Sequence, residues 1–231
     1  MRARDLKAGR LRHGWGQVEA AKRLGVSQPY LAMLEAGKRP LTARLARKGT
    51  LVYGLPLAGL PVSGTFTPAR EVGAQHLVEY LSRLDYPGFA YVRPHVQKRN
   101  PAEVLLTALA QENLEARVAE GLPWLLLRYW RMDSKWLVDQ AKRFDLQNRL
   151  GFVTGLARQL SETTGEADRT KVLSNLETTL DHSRLAREDF FSRPPRNDAE
   201  REWLRQNRPD EARHWNLLSD LRPEHLNYAE W

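Results

Sequence analysis

Gln17-Val-Glu-Ala-Ala-Lys-Arg-Leu-Gly-Val-Ser-Gln-Pro-Tyr-Leu-Ala-Met-Leu-Glu-Ala-Gly-Lys-Arg39 reads as two short helices about a tight turn. Val18, Ala20, Ala21 and Leu24 fall at helical spacing, and Gly25 stands where a left-handed C-cap is wanted. Ser27 is a good N-cap for the next helix. Pro29 lies in that helix's first turn, where a missing N–H costs nothing. Leu31 and Leu34 share one face, and Gln28, Pro29, Ala32 and Met33 share the other. Gly37 ends the helix, and Lys38-Arg39 follow at once. Upstream, Leu6, Ala8 and Leu11 give an apolar face to a further helix that Gly14 can end. Two helices around a glycine-centred turn, the second with a small or polar outer face, make a helix-turn-helix.

The same run resembles the Cro/CI (XRE-type) helix-turn-helix family over residues 5–55. The Gln at the start of the second helix, the Gly-Val-Ser turn and the Leu-Glu-x-Gly-Lys-Arg ending occur in register. The resemblance implies double-stranded operator DNA as partner and assigns roles by position. Gln17 would bond a backbone phosphate at a helix N-terminus. Gln28 would open the recognition helix and reach base edges, adenine being the usual bidentate partner of an amide. Ser27, Pro29, Tyr30 and Met33 lie on the same short helix, and Lys38 and Arg39 would meet phosphates beyond it. Arg10 and Glu35 match a pair that joins the first and third helices as a buried ion pair in this family.

Two departures from the pattern matter. Gly16, preceded by Trp15, replaces the usual Ser or Thr before Gln17 and is a weaker cap; Trp15 is expected in the core. The recognition face is also poor in polar groups. Pro29, Ala32 and Met33 can touch thymine methyls but not hydrogen-bonding edges, so phosphate contacts and DNA shape must carry more of the affinity. One such module makes few contacts, and two-fold symmetry on paired half-sites is the family's remedy. The chain is therefore expected to be a homodimer.

Charge agrees with this placement. The 231 residues carry a formal net charge of +8. Residues 1–53 hold 12 Lys and Arg against Asp5, Glu19 and Glu35, whereas the remaining 178 hold 24 basic and 25 acidic groups. Such asymmetry points to a polyanionic partner for the first quarter. Hydrophobic residues at 42% and charged residues at 28% suit a globular chain. With no cysteine there is no disulfide, thiol nucleophile or Cys-ligated metal. Met1-Arg2-Ala3-Arg4-Asp5 is basic without an apolar core after it, and the charge-free stretch 49–69 is broken by Pro56 and Pro61. Neither reads as an export signal or a membrane span, so a cytoplasmic location is expected.

Beyond a connector over 56–75, the pattern is helical to residue 162. His76, Leu77, Tyr80, Leu81 and Leu84 share a face, and Asn100-Pro101 pairs an N-cap with Pro at N1. Leu114 and Val118 lead a helix to Gly121, and Pro123 opens another through Trp124-Leu-Leu-Leu-Arg-Tyr-Trp130. Ser134 caps the next, and Leu146, Leu150, Val153, Ala157 and Leu160 mark one more. Phe89 to Arg93 is the one stretch with strand character. From 163 to 231 charge is dense and aromatic anchors are spaced through it: Phe190, Phe191, Trp203, Trp215, Tyr228 and Trp231. Such anchors suit packing on their own domain, exchange with a dimer mate, or a foreign protein; Phe190, Phe191, Trp203 and Trp215 are the candidates for partner binding.

The expected architecture is mainly α: a helix-turn-helix domain over 1–55, a linker over 56–75, a larger α-helical domain over 76–162 and an extension over 163–231. No His-Glu-x-x-His, P-loop or Gly-x-Ser-x-Gly motif occurs, and Asp181-His182 and Glu224-His225 diverge on a helix. Neither an enzyme nor a metal or other cofactor is expected. The leading functional expectation is a transcriptional repressor, arranged like antitoxins that regulate their own operon and hold a cognate toxin through the C-terminal half. A ligand-sensing regulator, with Trp124, Tyr129, Trp130 and Trp136 around an effector, is a second reading. An enzyme with a DNA-targeting module is a third.

Overall fold

The computed structural model describes residues 3–63 and 65–226; Tyr228 and Trp231 lie outside them. Twelve α-helices and one two-residue pair of strands make up the described regular structure apart from three 3₁₀ turns. The chain divides into two compact units, Met1–Thr65 and Phe66–Trp231. The stretch 56–75 is shared between them.

The first unit holds α1 (Ala3–Arg12), α2 (Gln17–Leu24), α3 (Gln28–Glu35) and α4 (Ala43–Val52). Its core gathers Leu6, Ala20, Ala21, Leu24, Leu31, Leu34, Leu45, Tyr53 and Leu55. Gly25 adopts φ 66°, and its N–H closes the end of α2 onto the Lys22 carbonyl. Only a residue without Cβ takes that conformation at no steric cost. Thr42 caps α4 by accepting from the Leu45 N–H.

Two readings of apolar spacing are corrected here. The buried face of α1 is Leu6, Gly9 and Arg10, whereas Ala8 and Leu11 are exposed. A Cβ at Gly9 would stand 2.8 Å from the Tyr53 ring, so close approach of α1 to Tyr53 takes the place of an apolar contact. Val18 is also exposed, since the inner face of α2 is filled by Ala20, Ala21 and Leu24.

The second unit is built around α9 (Gln147–Thr163). Before it come α5 (Ala74–Arg83), α6 (Pro101–Leu109), α7 (Ala116–Arg128) and α8 (Ser134–Arg143); after it come α10 (Ala167–Asp181), α11 (Asp198–Asn207) and α12 (Asp210–His214). Residues 147–157 of α9 are buried without a break, so this helix is a hub rather than a surface element. α10 packs along it, and α7, α8, α6 and α12 also touch it. Strands β1 (Asp189–Phe190) and β2 (Leu217–Leu218) pair in parallel, Asp189 opposite Leu217 and Phe190 opposite Leu218.

Buried polar side chains of α9 tie down the segments around it. Arg149 donates to both carboxylate oxygens of Asp189 at 2.8 and 2.9 Å and to the Leu109 and Gln111 carbonyls. Asn148 donates to the Leu185 carbonyl and accepts from the Leu185 N–H, imitating a strand partner. The Gln111 amide holds the Ala69 carbonyl and the Val72 N–H, which fixes the start of the unit.

Several local expectations change. Pro123 lies inside α7 rather than opening a helix of its own, and the turn before it carries Val118 and Ala119 into the same core. Asp133, not Ser134, caps α8 by accepting from the Trp136 N–H. Phe89 ends a 3₁₀ turn, and the residues after it are irregular, so no strand forms there.

The segment 163–231 belongs to the second unit's core over much of its described length. Trp215 is fully buried and sits on Gly151, and Glu211 sits on Gly155, with no room for a Cβ at either glycine. The Trp215 indole N–H donates to Glu211, which also accepts from Gln159. Trp215 and Phe191 therefore have no surface to offer a partner, correcting the reading of these two as external anchors. Phe190 is half-buried under the Arg149 guanidinium, and Trp203, 52% exposed, is the outward-facing member of the four.

Candidate nucleic-acid interface

Interlocked side chains link the helices of the first unit. Arg10 donates from Nε and Nη2 to the two Glu35 oxygens at 2.7 and 3.0 Å, and from Nη1 to the Trp15 carbonyl. Both side chains are buried, so the pair joins α1 to α3 and fixes the entry to α2. Burial alone would raise the Glu35 carboxyl. Hydrogen bonds from Arg10 and Gln17 and the charge of Arg10 outweigh it and hold the group below the usual carboxylate range. The Glu35 hydrogen bond in turn raises the Arg10 guanidinium. Burial pushes the nearby Tyr53 phenol up to about 12.

The network continues outward. Gln17 Nε2 donates to Glu35 at 3.1 Å, and Gln28 Nε2 donates to Gln17 Oε1 at 2.8 Å. An ionised carboxylate only accepts, so Gln17 must turn its NH₂ inward and its oxygen toward Gln28. Gln28 must then give one N–H to Gln17. Its own Oε1 and second N–H remain for a ligand, at the first turn of α3.

Ser27 caps α3 by accepting from the Tyr30 N–H at 3.4 Å. Leu31 and Leu34 are buried, Pro29 is exposed, and Gln28, Ala32 and Met33 are half-buried on the outer side. Tyr30 packs partly against the unit's core. After Glu35 the Gly37 and Lys38 N–H groups return to the Leu34 and Met33 carbonyls, turning the chain so that exposed Lys38 and Arg39 follow directly. At α2 the Gly16 cap supplies no side-chain hydrogen bond, which leaves the first-turn N–H groups without that partner.

Some side chains of this unit carried no motif. Arg44 and Lys48 are exposed on α4, opposite its buried Leu45, Ala46, Gly49 and Thr50. Trp15 is half-buried between the His13 ring at 4.3 Å and the Arg23 guanidinium at 4.1 Å. The signal for α4 was present in Thr42 and the spacing of Leu45, Ala46 and Gly49. The Trp15 sandwich depends on contacts between helices.

In the second unit, the aromatic residues named for an effector site fall into separate contacts, with only Trp124 and Tyr129 meeting each other. Trp124 is buried against Tyr86 and Tyr129, Trp136 meets Phe66, and Trp130 lies under Arg131. Among the described residues no group of three or more His, Asp or Glu side chains is placed to hold a metal ion. No described helix is long and apolar enough to cross a membrane.

No curated protein and no solved structure matches the chain. Residues 6–60 match the Helix-turn-helix family model, and this span contains α2, the Gly25 turn, α3 and the Gln28-to-Arg10 network. The N-terminal unit is thus a Cro/CI (XRE-type) helix-turn-helix domain, and the chain that carries it is a DNA-binding transcription regulator.

Proposed function

We propose that the chain is a sequence-specific repressor that binds its operator as a homodimer and acts as an autoregulating antitoxin, with the Phe66–Trp231 unit holding a cognate toxin. The observation that carries the DNA-reading half is the Gln28 amide, held by Gln17 at the start of α3 with one acceptor and one donor to spare. Those two groups match the N6 donor and N7 acceptor of adenine. Pro29 and Met33 then meet thymine methyls, while Gln17, Ser27, Lys38 and Arg39 contact the backbone on either side. One polar reader per module is little for a genomic search, and pairing two modules on half-sites about one helical turn apart compensates.

The antitoxin half draws on the size of the second unit. It spans 166 residues, and Trp203 offers an exposed aromatic anchor. The test is co-expression of the full chain with the neighbouring gene, followed by mass measurement and promoter binding. A stoichiometric second protein whose presence changes promoter affinity, with loss of the complex in Trp203→Ala, supports the reading. A homodimer that binds the promoter and takes up no second protein removes the antitoxin role and leaves the repressor.

A further inference from the structure

Although the second unit is nearly neutral as a whole, its charge is unevenly spread. Residues 86–102 contain no acidic side chain but carry Arg93, His95, Lys98 and Arg99. They form a ten-residue irregular arch, Tyr91 to Asn100, between the 3₁₀ turn at Pro87–Phe89 and α6. The first half of the arch is pinned to α5. Ser82 Oγ donates to the Val92 carbonyl at 3.0 Å, and the His95 N–H donates to Glu79 at 2.9 Å. These backbone N–H bonds, from His95 first and also from Val96, hold the Glu79 carboxyl below its usual range, so Glu79 is engaged with the backbone of the arch. The arch is a defined surface.

Its outward groups are almost all donors. Arg93, His95 and Arg99 are exposed, and Arg99 lies over the Tyr80 ring at 4.8 Å. Lys98 shares a cleft of about 400 Å³ with Arg83, and Asp85 is its acidic member. Tyr91 is 69% exposed, and its oxygen accepts from Arg117 Nη1 at 3.5 Å. That leaves the phenolic proton to be given away to a ligand. A surface of guanidinium, ammonium and phenol donors calls for a partner made of acceptors, and the phosphodiester backbone is the extended polymer of that kind.

We infer that the Tyr91–Asn100 arch, with Arg83 and Arg117 beside it, is a second, sequence-independent contact for the backbone of double-stranded DNA. The choice of duplex DNA rests on the helix-turn-helix reading, because two linked contacts for one polymer reinforce each other where both engage it. No specificity comes from this surface. It adds affinity and salt dependence to every sequence alike.

The experiment uses four full-length proteins and a duplex of scrambled sequence titrated across salt concentrations. One is wild type, one carries Arg93→Gln, Lys98→Gln and Arg99→Gln, and one carries Gln28→Ala, Lys38→Ala and Arg39→Ala. The last combines all six changes. Each arch cation that neutralises a phosphate contributes about 0.9 to the slope of log K against log salt. The arch variant is expected to lose up to about 2.7 from that slope, with an unaltered melting temperature. The helix-turn-helix variant is expected to keep residual duplex binding that the sixfold variant loses in large part.

A charge control removes three cations elsewhere in the unit, with Lys142→Gln, Lys171→Gln and Arg196→Gln, and is expected to leave the slope near that of wild type. Three results overturn the inference: an unchanged slope in the arch variant, residual binding as strong in the sixfold variant as in the helix-turn-helix variant, or an equal loss in the charge control. An arch that instead binds an acidic protein gives the first of these. Failure of the helix-turn-helix reading is separately visible, as an equal affinity of wild type for operator and scrambled duplex.

Discussion

At the scale of the residue, Arg10, Glu35, Gln17 and Gln28 form one object with two jobs. The inner pair is structural. Replacing Arg10 by Ala leaves the Glu35 carboxylate buried without its cation, which costs about 3–5 kcal/mol. Thermal unfolding of the first unit should register most of that loss. The pH dependence has a definite sign. Since Glu35 titrates below its usual range in the folded chain, its stabilisation is complete above the ordinary carboxylate pKa and fades as pH falls through the lowered value. Tyr53, raised to about 12, behaves oppositely: its contribution is complete below the ordinary phenol value and is lost as pH climbs toward 12. An acid-side melting profile that is the same for wild type and Glu35→Gln would remove the carboxylate from this account. The outer member is different. Gln28→Ala should leave melting unchanged while narrowing the preference for operator over scrambled DNA by about 1–3 kcal/mol, as read by competition binding. A retained preference would take Gln28 out of base reading.

At the scale of the element, what was legible followed from local chemistry. Ser27 and Asn100 announced their helices because a cap is satisfied within three residues, and both side chains do accept the N–H groups expected of them. Gly25 marked its turn for the same reason. The misreadings share a cause in contacts distant along the chain. Ala8 and Leu11 looked like the inner face of α1, but Gly9 beneath Tyr53 and Arg10 on Glu35 define that face. Trp215 read as an anchor for its own domain, a dimer mate or a partner, because nothing local says that Gly151 and Gly155, more than fifty residues earlier, leave a groove for α12. That groove is testable. Gly151→Ala must displace the Trp215 ring, and overpacking of this kind costs about 1–3 kcal/mol. A lowered urea midpoint with a blue-to-red shift in tryptophan emission is expected, and an unchanged midpoint would mean that α12 does not seat there. In the first unit, exposed Lys38 and Arg39 just beyond α3 should each account for one phosphate. Their joint replacement by Ala is expected to flatten the salt dependence of operator binding by about two contacts. An identical slope would place both side chains away from the DNA.

At the scale of the whole molecule, a basic helix-turn-helix unit is joined to a larger helical unit whose polar side chains Arg149, Asn148 and Gln111 staple its own segments together. The first unit's role was readable because its motif lies in one continuous run of 23 residues. The second unit's was not, because its organising helix α9 is buried from 147 to 157 and its apolar spacing announces a helix but no ligand or partner. The central claim is that the exposed first turn of α3 reads DNA sequence. Its most direct test is selection of bound fragments from genomic DNA by the full-length protein, run beside the variant with Gln28, Lys38 and Arg39 replaced by Ala. The account predicts that wild type enriches a two-fold motif with half-sites about 10 base pairs apart and that the variant enriches none. The same motif recovered by both proteins, or no motif from wild type, would contradict it.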